Sequence, residues 1–153
     1  MNRVVLITGG SQGIGKATAT EFRRLGDIVI SFSKEIDEEY PNYSYVGDVS
    51  NEQDVEKVIN EIKQQYGKID VLINNAGISV NGALELISTE AFNKIMDVNV
   101  KGAYLFAKHS LPLMQKGAKI INMSSVSGVF ASPFRSLYCF SKSALLMMSL
   151  CQR

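Results

Sequence analysis

The stretch RVVLITGGSQGIG, Arg3 to Gly15, decides the fold class. Arg3 to Thr8 is a short β-branched run that stops at Gly9-Gly10, the pattern of a buried strand. A helical pattern follows at once, with Ile14, Thr18, Phe22 and Leu25 on one face and Gly26 beyond its end. A helix that opens inside a glycine-rich turn presents the free N–H groups of its first turn to an anion, and its dipole has the right sign to hold one. Gly9 and Gly13 permit a tight turn and close backbone approach, and Gly15 lets the helix pack near the strand. The spacing is Gly-x-x-x-Gly-x-Gly rather than Gly-x-Gly-x-x-Gly. A glycine cluster alone is weak evidence, since many strand–helix turns carry two glycines. Its place between the first strand and the first helix is what points to a nucleotide.

The same alternation continues outward from this turn. Ile28–Phe32 and Tyr43–Val46 read as strands separated by a charged loop over Ser33–Asn42. Ser50 to Tyr66 is the clearest helix, with a stripe of Val55, Val58, Ile59, Ile62 and Tyr66, a capping box of Ser50 with Gln53, and Gly67 as its stop. Strands follow at Ile69–Ile73 and Lys119–Met123, with a long amphipathic helix from Thr89 to about His109 between them and a last helix from Leu137 onward. Continuous apolar strands alternating with helices imply an α/β doubly wound parallel sheet, Rossmann-like, with helices on both faces. No repeat, low-complexity tract or linker divides residues 1–153, so a single domain is expected.

Composition excludes several classes. Of 153 residues, 46% are apolar and 20% charged, with a formal net charge of +1. That excludes a disordered chain and gives no basic surplus for nucleic acid. Two cysteines and one histidine make neither a disulfide scaffold nor a metal-ligand spacing. No apolar run approaches the roughly 18 residues of a membrane span. The four bulky apolar residues Val4 to Ile7 are too few for a signal peptide, so a cytoplasmic protein is expected. The balanced charge hides an asymmetry. Asp27 to Asp70 holds eleven acids and four lysines, whereas seven basic residues and no acid follow Asp97. This reads either as two solvated faces or as a basic half turned to an anionic ligand.

In a doubly wound sheet the ligand lies across the carboxyl ends of the strands. Small or polar residues follow every strand there: Ser33-Lys34, Asp48-Val49, Asn74 to Gly77, and Ser124-Ser125. An acid after the second strand would bind a ribose 2′-hydroxyl. Ser33 and Lys34 suit a 2′-phosphate better and favour NADP(H) over NAD(H), although Glu35 and Asp37 are close by. Tyr138 and Lys142, spaced i, i+4, share one helix face. A phenol beside an ammonium can act as a proton donor or acceptor near neutral pH. Ser125 lies thirteen residues earlier, just after a strand, where its hydroxyl can reach a reacting oxygen. Asn99 sits within a helix, where an amide needs a reason; a bond to its own helix backbone is the simplest one.

With these residues in view, the chain resembles the short-chain dehydrogenases/reductases. The pieces are TGGSQGIG (Thr8 to Gly15), GDVS (Gly47 to Ser50), NNAG (Asn74 to Gly77), NVKG (Asn99 to Gly102), INMSS (Ile121 to Ser125) and YCFSK (Tyr138 to Lys142). The resemblance implies an oxidoreductase that transfers hydride between a nicotinamide cofactor and a small-molecule carbonyl or alcohol. In it Tyr138 is the acid/base and Lys142 holds the nicotinamide ribose and tunes the tyrosine. Ser125 orients the substrate oxygen, and Asn99 holds a relay water. Gly9, Ser11, Gln12, Gly13, Ile14 and Gly15 form the phosphate loop. Asp48 and Val49 meet the adenine, Asn75 ties the central sheet together, and Ala76 and Gly77 lie beside the ribose. The resemblance also implies a homo-oligomer built on the long helices. It covers five of the family's usual seven strands, without the final strands and the substrate loop. The alternative is therefore a truncated nucleotide-binding fragment without catalytic activity. The visible substrate pocket, Val80–Leu86 and Val126–Pro133, is apolar and small.

Overall fold

The computed structural model describes residues 2–152. Five strands form one fully parallel sheet: β1 (Val4–Thr8), β2 (Ile28–Ser33), β3 (Ser44–Val46), β4 (Val71–Asn74) and β5 (Lys119–Asn122), in the order β3-β2-β1-β4-β5. Each strand returns to the next through a crossover, and the order reverses between β1 and β4, where a doubly wound sheet opens its ligand crevice. The five helices are α1 (Gly13–Arg24), α2 (Glu52–Tyr66), α3 (Thr89–Met96), α4 (Gly102–Ser110) and α5 (Ser136–Cys151).

The apolar run of β1 follows from burial on both faces. Val4 and Leu6 point to a core built with Ile30, Phe32 and Leu72, the α2 stripe of Val55, Val58, Ile59 and Ile62, and Leu105 and Phe106 of α4. Phe32 and Phe106 meet edge-on there, 5.1 Å between centroids. Val5 and Ile7 point the other way, to Val29, Val71 and Ile73 under Ala19 of α1, with Phe22 and Met123 alongside. β5 pairs with β4 alone among the described residues, and its Ile121 is exposed.

Three local expectations are corrected. The cap of α2 is Asn51, whose side chain accepts from the Gln53 N–H at 3.0 Å; Ser50 instead donates its hydroxyl to Asp48 at 2.7 Å. In α1, Ile14 and Leu25 of the expected face are exposed; the buried residues are Gly15 and Ala19, small enough for the helix's first turns to lie close to β1, while Phe22 packs partly buried beside them. The long helix is not uniform: a π turn, Asp97–Lys101, separates α3 from α4. On α5, Leu145 is buried while Leu146, Met147 and Leu150 remain exposed. No helix of the described residues is long and apolar enough to cross a membrane.

Candidate active site

The turn after β1 is fixed from three sides. Gly9 has φ +69° and its N–H donates to the Phe32 carbonyl at 2.8 Å. The Asn75 amide donates to the carbonyls of Thr8 and Gly9, at 3.0 and 3.2 Å. The Thr8 hydroxyl accepts from the N–H groups of Asn75 and Ala76, both at 3.0 Å. Asn75 thus ties the end of β4 to the end of β1. Gly13 opens α1 at φ +55°. A Cβ at Gly15 would lie 2.0 Å from the Gly9 carbonyl oxygen, so the helix approaches the turn as closely as backbone allows. No side chain caps α1, and its first turn holds no acid, which leaves the helix end open to an anion from outside.

Beside this turn lies a cleft of about 520 Å³. Its walls include Gly9, Ser11, Gln12, Ile14 and Gly15 from the turn, Ser33, Lys34 and Val49 from the ends of β2 and β3, and Asn75, Ala76 and Gly77 after β4. Gly13 serves through its backbone conformation and is not a wall residue. Ser33 is buried and its hydroxyl accepts from the Ser11 N–H at 3.2 Å, which moors the glycine turn to β2. Asp48 is not on the wall either. It takes two hydrogen bonds from Ser50 and an ion pair from Lys34 at 3.1 Å. Burial alone would raise the Asp48 pKa, but the Ser50 and Lys34 contacts outweigh it and hold the carboxyl below its ordinary value. Of the two nearby acids, Asp37 is buried against Arg23 at 3.1 Å, so its charge is matched away from the cleft, whereas Glu35 is a wall residue.

A second cavity, about 230 Å³, shares Ile14, Asn75, Gly77 and Ile78 with the first. It is closed by Ser79, Met123, Ser124, Tyr138 and Lys142. Tyr138 and Lys142 stand on one face of α5, with the ammonium 5.7 Å from the phenol ring centroid. Lys142 is buried, its Nζ donates to the Met123 carbonyl at 2.7 Å, and burial lowers its pKa. A Cβ at Gly77 would sit 3.3 Å from both Lys142 Nζ and Asn99 Oδ1, so a side chain there would crowd the meeting point of the two cavities.

Asn99 lies one layer behind, in the π turn. It does not bond its own helix: Oδ1 accepts from the Ile78 N–H at 2.8 Å, and Nδ2 donates to the Ile78 carbonyl at 2.9 Å and to the Ser141 hydroxyl at 2.9 Å. Ser141 in turn donates to the Tyr138 carbonyl at 2.9 Å. One side chain therefore joins the segment after β4 to the helical turn that carries Tyr138. Ser125 is half-buried and borders neither cavity; its hydroxyl accepts from the Ser127 N–H at 3.2 Å. Its neighbour Ser124 lines the smaller cavity and donates to the Lys142 carbonyl at 2.8 Å. Sequence reasoning placed Ser124 at the crevice without a role of its own, and passed over Ser141, inside a quoted motif, and Ile78 and Lys94 on the cleft wall. Nothing in their residue types marks them; their roles arise from where the π turn and α5 meet.

The model of the short chain dehydrogenase family matches residues 3–153. The chain is 40% identical to 2-(R)-hydroxypropyl-CoM dehydrogenase of Xanthobacter autotrophicus, over 97% of this chain and 66% of that protein. Among solved structures, ligand-free aldohexose dehydrogenase of Thermoplasma acidophilum superposes with TM-score 0.92 at 36% identity, over 96% of this chain and 58% of the other. ElxO with NADP bound superposes with TM-score 0.88 at 37% identity, over 97% and 65%. The chain thus spans no more than 66% of the length of any of these three.

Proposed function

The chain belongs to the short chain dehydrogenase family, and from that premise we propose that it transfers hydride between NADP(H) and a carbonyl or alcohol substrate, with Tyr138 as the general acid/base. One observation carries this reading: the cavity bordered by Tyr138 and Lys142 adjoins the glycine-turn cleft, the two sharing Ile14, Asn75, Gly77 and Ile78 as wall residues. A dinucleotide stretched along the cleft would bring its nicotinamide end to the phenol. The residues fit such a group. The uncapped α1 terminus suits a pyrophosphate, Gly9 and Gly15 let turn, helix and strand approach closely, and Gly77 keeps a side chain from the meeting point of the two cavities.

The cofactor supplies or accepts the hydride. The chain's own residues hold position and move a proton. Tyr138 gives its proton to the carbonyl oxygen in reduction and recovers it in oxidation. Lys142, held by the Met123 carbonyl, keeps an ammonium beside the phenol and within reach of a ribose. Ser125 orients the substrate oxygen, for which its hydroxyl turns from the Ser127 N–H. Asn99 fixes the turn of α5 through Ser141, with both amide protons engaged and its Oδ1 accepting from Ile78, and would hold a relay water from the π turn. Ser11, Gln12, Gly13, Ile14 and Ala76 hold the phosphates and ribose, and Asp48 and Val49 flank the adenine. Ser33 and Lys34, with Asp37 neutralised by Arg23, favour a 2′-phosphate. That NADP occupies the similar protein ElxO supports the cofactor class.

The test is reduction of a panel of ketones by the purified chain with NADPH and with NADH. Tyr138→Phe is expected to lower turnover by roughly 10²–10⁴-fold, with the NADPH dissociation constant changed only a few-fold and NADPH bound more tightly than NADH. Turnover retained in Tyr138→Phe removes the phenol from its role. A folded chain that binds neither nucleotide overturns the whole reading.

A further inference from the structure

Four arginines lie among the described residues, and three of them are matched to carboxylates. Arg3 pairs with Asp27 at 2.6 Å, Arg23 with Asp37 at 3.1 Å and Arg24 with Glu21 at 2.7 Å. Among the described residues Arg135 has no carboxylate partner within ion-pair distance. Its one side-chain hydrogen bond is a long one, Nε to Asn81 Oδ1 at 3.4 Å. Its guanidinium stands over the ring of Tyr138, 5.4 Å from the centroid. An unmatched arginine is therefore exposed at the proposed reacting group.

Its placement is built rather than incidental. Arg135 follows Phe134, the sole non-glycine residue with positive φ (+60°) among the described residues. That conformation is costly for a bulky side chain and persists only where the surroundings impose it. Here the Gly82 N–H donates to the Phe134 carbonyl at 2.8 Å, and Asn81, itself bonded by Ser79 at 3.1 Å, holds the guanidinium. Two loops, one after β4 and one before α5, thus pin a corner that sets Arg135 beside Tyr138, a wall residue of the smaller cavity. Lys142 Nζ is turned to the Met123 carbonyl, and among the described residues the guanidinium is an unpaired cation beside the phenol ring. A planar guanidinium matches a carboxylate, sulfonate or phosphate with two parallel hydrogen bonds.

We propose that Arg135 is a specificity-determining residue that binds an anionic group of the substrate, so that the substrates are keto or hydroxy compounds bearing an acid group a few bonds from the reacting carbon. This rests on the oxidoreductase reading for the identity of the reacting carbon, but not for the anion contact itself.

The test compares acetoacetate, 4-oxopentanoate and 5-oxohexanoate with their methyl esters, using the chain with NADPH. For at least one length the acid is expected to exceed its ester in kcat/KM by roughly tenfold, the gain of one charge-assisted contact. Arg135→Gln is expected to bring that ratio to about one, mainly through KM, and Arg135→Lys to restore part of it. In parallel, each acid is titrated into wild type and Arg135→Gln and followed by NMR, with circular dichroism confirming that both are folded. Esters reduced as well as acids, with no effect of Arg135→Gln on the ratio, overturn the inference and leave the oxidoreductase reading intact. Acid binding that is lost in Arg135→Gln, without turnover of any compound, supports the anion contact and counts against the reading. No binding of any acid to wild type, or equal binding to both proteins, also overturns the inference.

Discussion

At the scale of single residues, the buried cation Lys142 shows how site and stability oppose each other. An ammonium removed from water loses hydration, and a single carbonyl, that of Met123, returns only part of it. Burial therefore depresses its pKa. With the folded value below the unfolded one of about 10.4, the unfolded state binds more protons between the two. Stability contributed by this group thus rises with pH across that interval. Lys142→Met should accordingly raise the urea midpoint at pH 7 while abolishing turnover, and wild type should gain on the variant as pH climbs from 7 to 10. Equal pH slopes for the two proteins would show that the ammonium is not desolvated. Tyr138 and Lys142 were legible because i, i+4 spacing is a property of the helix alone. Arg135 was not: its significance lies in lacking a carboxylate among the described residues, and a missing partner is invisible until the fold places the neighbouring charges.

At the scale of elements, Asn51 marks the start of α2 by accepting from Gln53, while Glu52 and Asp54 add favourable charge to the first turn. Asn51→Ala is expected to cost about 1 kcal/mol, read from the shift in urea midpoint at unchanged slope. An effect below a few tenths would mean the helix is held by its packing alone. The sequence pattern set the helix one residue early because Ser50 followed by Gln53 satisfies the capping-box rule equally well; the pull of Asp48 on the Ser50 hydroxyl decides between them. The five strands and their parallel order were legible, since β-branched runs buried on both faces leave few alternatives. The π turn was not. One extra residue in a helical turn carries no local signature, and here it coincides with Asn99 bonding outward to Ile78 and Ser141. Likewise Ile14 fits a helical stripe by spacing, yet the closeness of α1 to β1 reserves that face for Gly15 and Ala19.

At the scale of the whole molecule, the acids of the first half are matched mostly within it, and one, Glu52, is matched from the basic half. The acids between Asp27 and Asp70 are met by Arg3, Arg23, Lys34 and Lys68, and Glu52 on α2 is met by Lys108 and His109 near the end of α4. Asp70 is the most instructive of these. Its carboxylate accepts from the Val4 N–H at 2.7 Å, at the first residue of β1, and pairs with Lys68 at 2.8 Å, so it holds the entrance of two adjacent strands. Burial opposes ionisation there, but Lys68, the Val4 N–H and Arg3 together prevail and keep the pKa below its ordinary value. Asp48 is depressed in the same way at the opposite end of the sheet. A carboxylate with a depressed folded pKa contributes stability that is fully present above its unfolded value, about 3.9, and is lost as pH falls through the folded value. The urea midpoint should therefore hold from pH 7 to about pH 5 and drop steeply below pH 4. Asp70→Asn should lower the midpoint at pH 7 and flatten the fall below pH 4, because the variant no longer takes up that proton on unfolding. Parallel acid limbs in wild type and variant would mean that Asp70 is not ionised against Lys68 and the start of β1, and that acid sensitivity arises elsewhere in the network.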